Sequence, residues 1–264
     1  MKDRAELHTV WDQVGAVRVC GRVNERARAG DRSAPHVVLV HGLGMATDYL
    51  EPTMRALGDA MPVSALDLPG FGGSRPVRGH QSLGELADAL IEWLRVRAIV
   101  APVLVGQSHG CQVILDAVSR HPELASALVL NAPTMLAGHR SIVRQLWLVA
   151  LDAPREPLSL VPHVARDYLK AGPRRILATL KDSLRDRIEE KLSAVRVPVT
   201  IVTGERDSVA PPAWCARLAR LVDSGGRLVV VPGAAHAVPF SHPSALAAEI
   251  VAVVQRIAVL RVDR

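Results

Sequence analysis

Short apolar runs recur along this chain, and most are followed by a stretch with helical spacing. The runs are residues 35–40 (PHVVLV), 63–66 (VSAL), 103–105 (VLV), 127–130 (ALVL), 197–203 (VPVTIVT) and 227–231 (RLVVV). They are near-continuous rather than alternating in polarity, the mark of strands buried on both faces of a parallel sheet. Between them apolar residues fall on one helical face. Leu50, Met54, Leu57 and Met61 predict a helix over 48–60, and Leu83, Leu86, Ala87, Leu90, Ile91 and Leu94 a second that opens on the capping-box pair Ser82 and Glu85. A helix after Pro211-Pro212 and another after Pro243 complete the series. Strand alternating with helix predicts an α/β fold with a mostly parallel sheet flanked by helices. Residues 14–23, interrupted by Gly15 and Gly21, read as one or two short strands at a sheet edge.

The rhythm breaks between residues 137 and 192. No apolar strand is legible there, only helical patches at 142–151 and 176–192 around Pro154, Pro157, Pro162 and Pro173. The stretch is too long for a plain connection. It reads as a helical lid inserted into the domain, which divides the chain into a core of residues 1–136 and 193–264 and a cap of residues 137–192.

Composition narrows the classes. At 49% hydrophobic and 22% charged residues, the chain is built to fold rather than to stay disordered. A net charge of +6 is spread without a basic run, and the aromatics number only four Trp, two Tyr and two Phe, so nucleic acid is not an expected partner. Cys20, Cys111 and Cys215 are far apart with no metal-ligand spacing, which suits a reducing, cytoplasmic setting without disulfides or a bound metal. Residues 1–6 lead into no apolar leader segment, and no run is long enough to span a membrane. No cofactor is implied, and oligomeric state is not legible.

The chemistry centres on Gly106-Gln107-Ser108-His109-Gly110. An apolar strand that turns directly into a helix forces its middle residue into a strained conformation and leaves the Ser108 hydroxyl exposed above the sheet. Asp207 and His236 each follow the carboxyl end of another expected parallel strand, the edge where ligands bind in open α/β sheets. A serine hydroxyl needs a base, and a histidine base needs an acceptor that holds its tautomer, so these three types suit nucleophilic catalysis.

Five segments in order, HGLG at 41–44, DLPGFGGS at 67–74, GQSHG at 106–110, GERDSVAP at 204–211 and GAAHAVPFSHP at 233–243, resemble the α/β-hydrolase superfamily in its lidded, esterase-like branch. The resemblance implies Ser108 as nucleophile, His236 as base and Asp207 as the orienting acid. It also implies an oxyanion hole of the backbone N–H groups of Leu43 and His109. Asp67 is then a structural turn residue, and His41 supports the oxyanion loop. A Ser nucleophile argues against dehalogenase and epoxide-hydrolase chemistry, and Ala237 after the histidine departs from the carbon–carbon-bond hydrolases. Those hydrolases, a cofactor-free lyase or haloperoxidase-like relative and a non-catalytic binding relative are the alternatives. The expected activity is cleavage of a small-molecule carboxylic ester, thioester or lactone through an acyl-enzyme. Phe71, Met135, Trp147, Tyr168 and Val238 are candidate substrate contacts.

Overall fold

A computed structural model describes residues 6–31, 34–74, 79–136, 138, 140–223 and 225–262. The elements in chain order are β1 (Leu7–Val14), β2 (Val17–Asn24), α1 (Glu25–Arg28), β3 (Val37–Val40), α2 (Glu51–Leu57), β4 (Val63–Leu66), α3 (Leu83–Val96), β5 (Val103–Gln107), α4 (His109–Arg120) and β6 (Ala127–Asn131). Four helices follow: α5 (Ile142–Asp152), α6 (Val161–Ala171), α7 (Pro173–Arg185) and α8 (Ile188–Leu192). The chain then returns to the sheet with β7 (Val199–Gly204), α9 (Pro212–Arg220), β8 (Arg227–Val231), α10 (Val238–Ser241) and α11 (Pro243–Val262).

The eight strands form one sheet in the order β1-β2-β4-β3-β5-β6-β7-β8. From β4 to β8 every pair is parallel, while β1 and β2 form an antiparallel hairpin that joins β4 antiparallel. The apolar runs are continuous because both faces are covered. Val38 and Val40 of β3 pack on one side with Leu86, Leu90 and Ile114, whereas Val37 and Leu39 pack on the other with Met54, Leu57 and Ile250. Strand order reverses beside β3, whose neighbours are β4 and β5. The crevice of such a sheet opens at that reversal, at the carboxyl ends of the strands. There Val40 pairs with Gly106 and Gly106 with Leu130, which levels the loops after β3, β5 and β6.

Three expectations shift in detail. The helix expected over 48–60 is a turn of 3-10 helix at Thr47–Tyr49 followed by the shorter α2, which stops at Gly58 with φ +63°. Residues 14–23 belong to a longer hairpin that starts at Leu7. The patch at 176–192 divides into α7 and α8 at Asp186–Arg187, and the proline-rich middle of the insertion holds α6, whose Pro162 stands in the first turn where no N–H is required. Residue 137, the expected start of the insertion, lies outside the described residues.

Candidate active site

Ser108 is the residue between β5 and α4, with φ +53° and ψ −115°. A non-glycine residue in that region stores about 1–3 kcal/mol of strain. Its neighbours show why the turn demands glycine. A Cβ on Gly106 would lie 2.8 Å from the backbone of Cys111, and one on Gly110 would collide with the Val40 carbonyl oxygen. Ser108 is half-buried, its N–H donates to Asn131 O at 2.9 Å, and its side chain does not cap α4.

Asp207 and His236 meet at the same edge of the sheet, where the residue before Ser108, Gln107, donates to His236 O. His236 Nδ1–H donates to Asp207 Oδ2 at 3.0 Å, while Asp207 Oδ1 accepts from Val209 N (2.7 Å) and Ala210 N (2.8 Å). The carboxylate is buried and accepts three donors, and in the neutral imidazole it fixes the tautomer with the proton on Nδ1 and the lone pair on Nε2. The two loops can meet because Gly204 has no side chain: a Cβ there would run into the carbonyl oxygens of Ala234 and Ala235. Burial opposes a charged His236, but Asp207, Asp152 and Glu156 outweigh it and raise its pKa to about 9.

The loop after β3 lies against the elbow, with the Gly42 Cβ position 3.4 Å from Ser108 Cβ. Leu68 N–H donates to His41 Nε2 at 2.9 Å, so the proton is on Nδ1, which donates to Gly42 O at 2.8 Å. Gly42 O also accepts from Met45 N at 3.2 Å. With that carbonyl tied down, peptide planarity turns the N–H of Leu43 to the opposite side. The His41 imidazole is fully buried and its pKa is lowered by that burial, so it stays neutral in this role.

The sequence profile of the alpha/beta hydrolase family matches residues 37–249. The chain belongs to that family. It is 30% identical over 254 residues to the pimeloyl-[acyl-carrier protein] methyl ester esterase of Neisseria meningitidis serogroup B, covering 86% of this chain and 95% of the relative. It is 28% identical to the putative carbamate hydrolase RutD of Klebsiella pneumoniae, covering 77% of this chain and 85% of the relative. The fold also superposes on a thermophilic esterase from Thermogutta terrifontis with a TM-score of 0.77 at 19% identity, covering 95% and 99% of the two chains.

Within this hydrolase the other singled-out residues fall in distinct places. Asp67 is a turn residue: Oδ1 accepts from Thr47 N at 2.6 Å and Oδ2 from Gly73 N at 2.7 Å. Phe71 is buried in the core with its ring edge-on to His41, which it braces. Val238 is buried in the opposite core layer, and Met135 is buried after β6 with φ +70°. Trp147 points outward, 48% exposed under the Arg144 guanidinium. Tyr168 and Ile176 of the insertion lie over Gly44, where a Cβ would come within 2.7 Å of both.

Ile176 and Gln107 escaped the sequence reading as site residues. Gln107 takes a hydrogen bond from the Asn131 side chain and donates to His236 O at 3.1 Å, linking three strand ends. Its place beside the serine was the available signal.

Proposed function

We propose that this hydrolase cleaves a carboxylic ester, thioester or lactone of a small organic substrate through an acyl-enzyme on Ser108. The observation that carries the reading is the Asp207–His236 hydrogen bond at the same sheet edge as the strained serine elbow. His236 Nε2 takes the Ser108 proton as Oγ attacks the carbonyl carbon. The oxyanion is held by the N–H groups of Leu43 and His109, and Asp207 stabilises the imidazolium. His236 then passes the proton to the leaving alcohol, thiol or lactone oxygen as that bond breaks. In the second half-reaction water loses its proton to His236 and attacks the acyl carbon, and Ser108 regains the proton as the acid departs.

The helices between β6 and β7 act as a cap in this reading, with Tyr168 and Ile176 over the oxyanion loop facing the substrate. The methyl ester esterase and carbamate hydrolase relatives support acyl transfer, and a methyl ester on a carrier-bound acyl chain is a rational first substrate class to assay. Three buried free cysteines support a reducing, cytoplasmic setting.

The test is intact mass after incubation with a small fluorophosphonate. Wild type gains one adduct, Ser108→Ala gains none, and ester hydrolysis falls by about 10³-fold or more in the variant. A folded wild type that takes no adduct sinks the proposal.

A further inference from the structure

Asp152 is the last residue of α5 and is buried, although it belongs to the insertion and stands far from the triad in sequence. Its Oδ1 accepts from Ser208 N at 3.0 Å, and its Oδ2 accepts from His236 N at 3.2 Å. Four residues on, Glu156 Oε1 accepts from Ala237 N at 2.6 Å. Between them Arg155 donates to Arg206 O at 3.0 Å and to Ser208 Oγ. A single turn of the insertion thus grips the backbone on both sides of Asp207 and at His236 itself. Its α5 segment reaches the sheet edge through these polar side chains rather than through an apolar face.

We infer that Asp152 and Glu156 are positioning residues for the Asp207–His236 pair, so that seating of the insertion and the basicity of His236 are one event. This rests on the reading of His236 as the base. Oriented carboxylates on the N–H groups of Ser208, His236 and Ala237 hold the two loops at the separation that the Asp207–His236 hydrogen bond needs. Their charge also adds to that of Asp207 around the imidazole. The charged groups acting on His236 are Asp207 from the loop after β7 and Asp152 and Glu156 from the insertion, and the same three carboxylates, after burial, perturb the buried phenol of Tyr49. Arg155 is turned away onto the Arg206 carbonyl. Glu156 Oε2 is buried without a donor. Burial first, and then Asp152, push the Glu156 carboxyl up to about 7. A proton on Glu156 lets its carboxyl donate to the neighbouring Asp152 carboxylate and removes one charge from around His236. The insertion then has a titrating latch on the base: ionised Glu156 holds His236 strongly basic, and protonated Glu156 releases it.

The experiment follows the His236 ring and the amides of Ser208, His236 and Ala237 by NMR in the full chain, with kcat and KM for an activated ester measured in parallel. Glu156→Gln and Asp152→Asn each lower the His236 midpoint by about half a pH unit or more. On the alkaline plateau, where His236 is neutral, they lower kcat severalfold while KM stays close to wild type. The limb of the pH–rate profile moves to lower pH with the His236 midpoint, and Glu156→Asp recovers part of the shift. Arg140→Gln, which breaks an ion pair to Glu189 at 2.6 Å elsewhere in the insertion, leaves the His236 titration unchanged. In wild type the Ala237 amide shifts with the Glu156 titration near neutral pH, a readout that survives if a variant fails to fold. An unchanged His236 midpoint in both folded carboxylate variants, or a flat Ala237 amide between about pH 5 and 9, overturns the inference. Because the NMR arm needs no turnover, its failure is separable from failure of the fluorophosphonate test.

Discussion

The sheet core and the helices α5 to α7 bury different kinds of side chain, whereas α8 sends Ile188 and Leu192 into the sheet core. In the core, α3 buries Leu86, Leu90, Ile91, Trp93 and Leu94, and α4 buries Val113, Ile114 and Leu115. In the insertion, α5 buries Gln145 and Asp152 beside Leu148, and exposes Val143, Leu146, Trp147, Val149 and Leu151. The next two helices continue the theme: α6 buries Asp167 while Leu169 stands 82% exposed, and α7 buries Thr179 and Ser183. Apolar burial is non-directional and insensitive to pH. Buried polar contacts are directional, small in net energy and dependent on protonation. The contacts of α5 to α7 that use buried polar side chains therefore depend more on protonation than the apolar contacts of the core do.

The largest effect separating the two kinds of burial is expected in the core. Ile114→Ala, at a fully buried α4 position, should cost about 2–5 kcal/mol in urea denaturation. A loss under about 1 kcal/mol would mean that the sheet helices do not carry the stability.

A second experiment is the pH dependence of melting. Burial, with Arg97 adding, lowers His36 to about 4, and burial lowers His109 to about 4. Their neutral forms are the folded ones, so this stability is complete above the ordinary histidine range and is lost as pH falls through about 4. Glu156 and His236 have the opposite sign. Raised to about 7 and about 9, they stabilise fully below their ordinary values, and that contribution is lost as pH rises through 7 and then 9. The melting temperature should therefore peak at about pH 6 to 7, with the fall through about 7 belonging to Glu156 at the insertion seam and the fall through about 9 chiefly to the Asp207–His236 pair. A Glu156→Gln protein that keeps the whole alkaline fall would contradict that assignment.

The smallest effect is expected on the outer face of α5. Leu146→Ser and Trp147→Ser should each change stability by no more than about 0.5 kcal/mol, because those side chains are already exposed. A large loss on either would show that this face is covered in solution.

Much of this was readable in advance, for local reasons. The runs VVLV, VSAL, ALVL and LVVV announced parallel strands because a strand covered on both faces has no polar side to display. The elbow at 106–110 was legible because backbone crowding at Gly106 and Gly110 tolerates no other residue. β1 was harder to see: its alternate residues are exposed in an edge hairpin, so Trp11 and Gln13 diluted the apolar signal. α6 was obscured because Pro162 looks like a breaker until its place in the first turn is known. Phe71 and Val238 could have faced substrate or core, since a loop residue and the first residue of a four-residue helix carry no periodicity that points a side chain.

The chain's own order of residues was enough for the sheet, the turn under Ser108 and the carboxyl-edge addresses of Asp207 and His236. Each depends on a few neighbours and on strand burial. Nothing local assigns Asp152, Glu156 or Gln107 to the same few ångströms as His236. That meeting exists only once an insertion between β6 and β7 folds back across loops that follow later in the chain. Buried carboxylates are tolerated there because backbone N–H groups from those distant loops supply the donors that solvent no longer can.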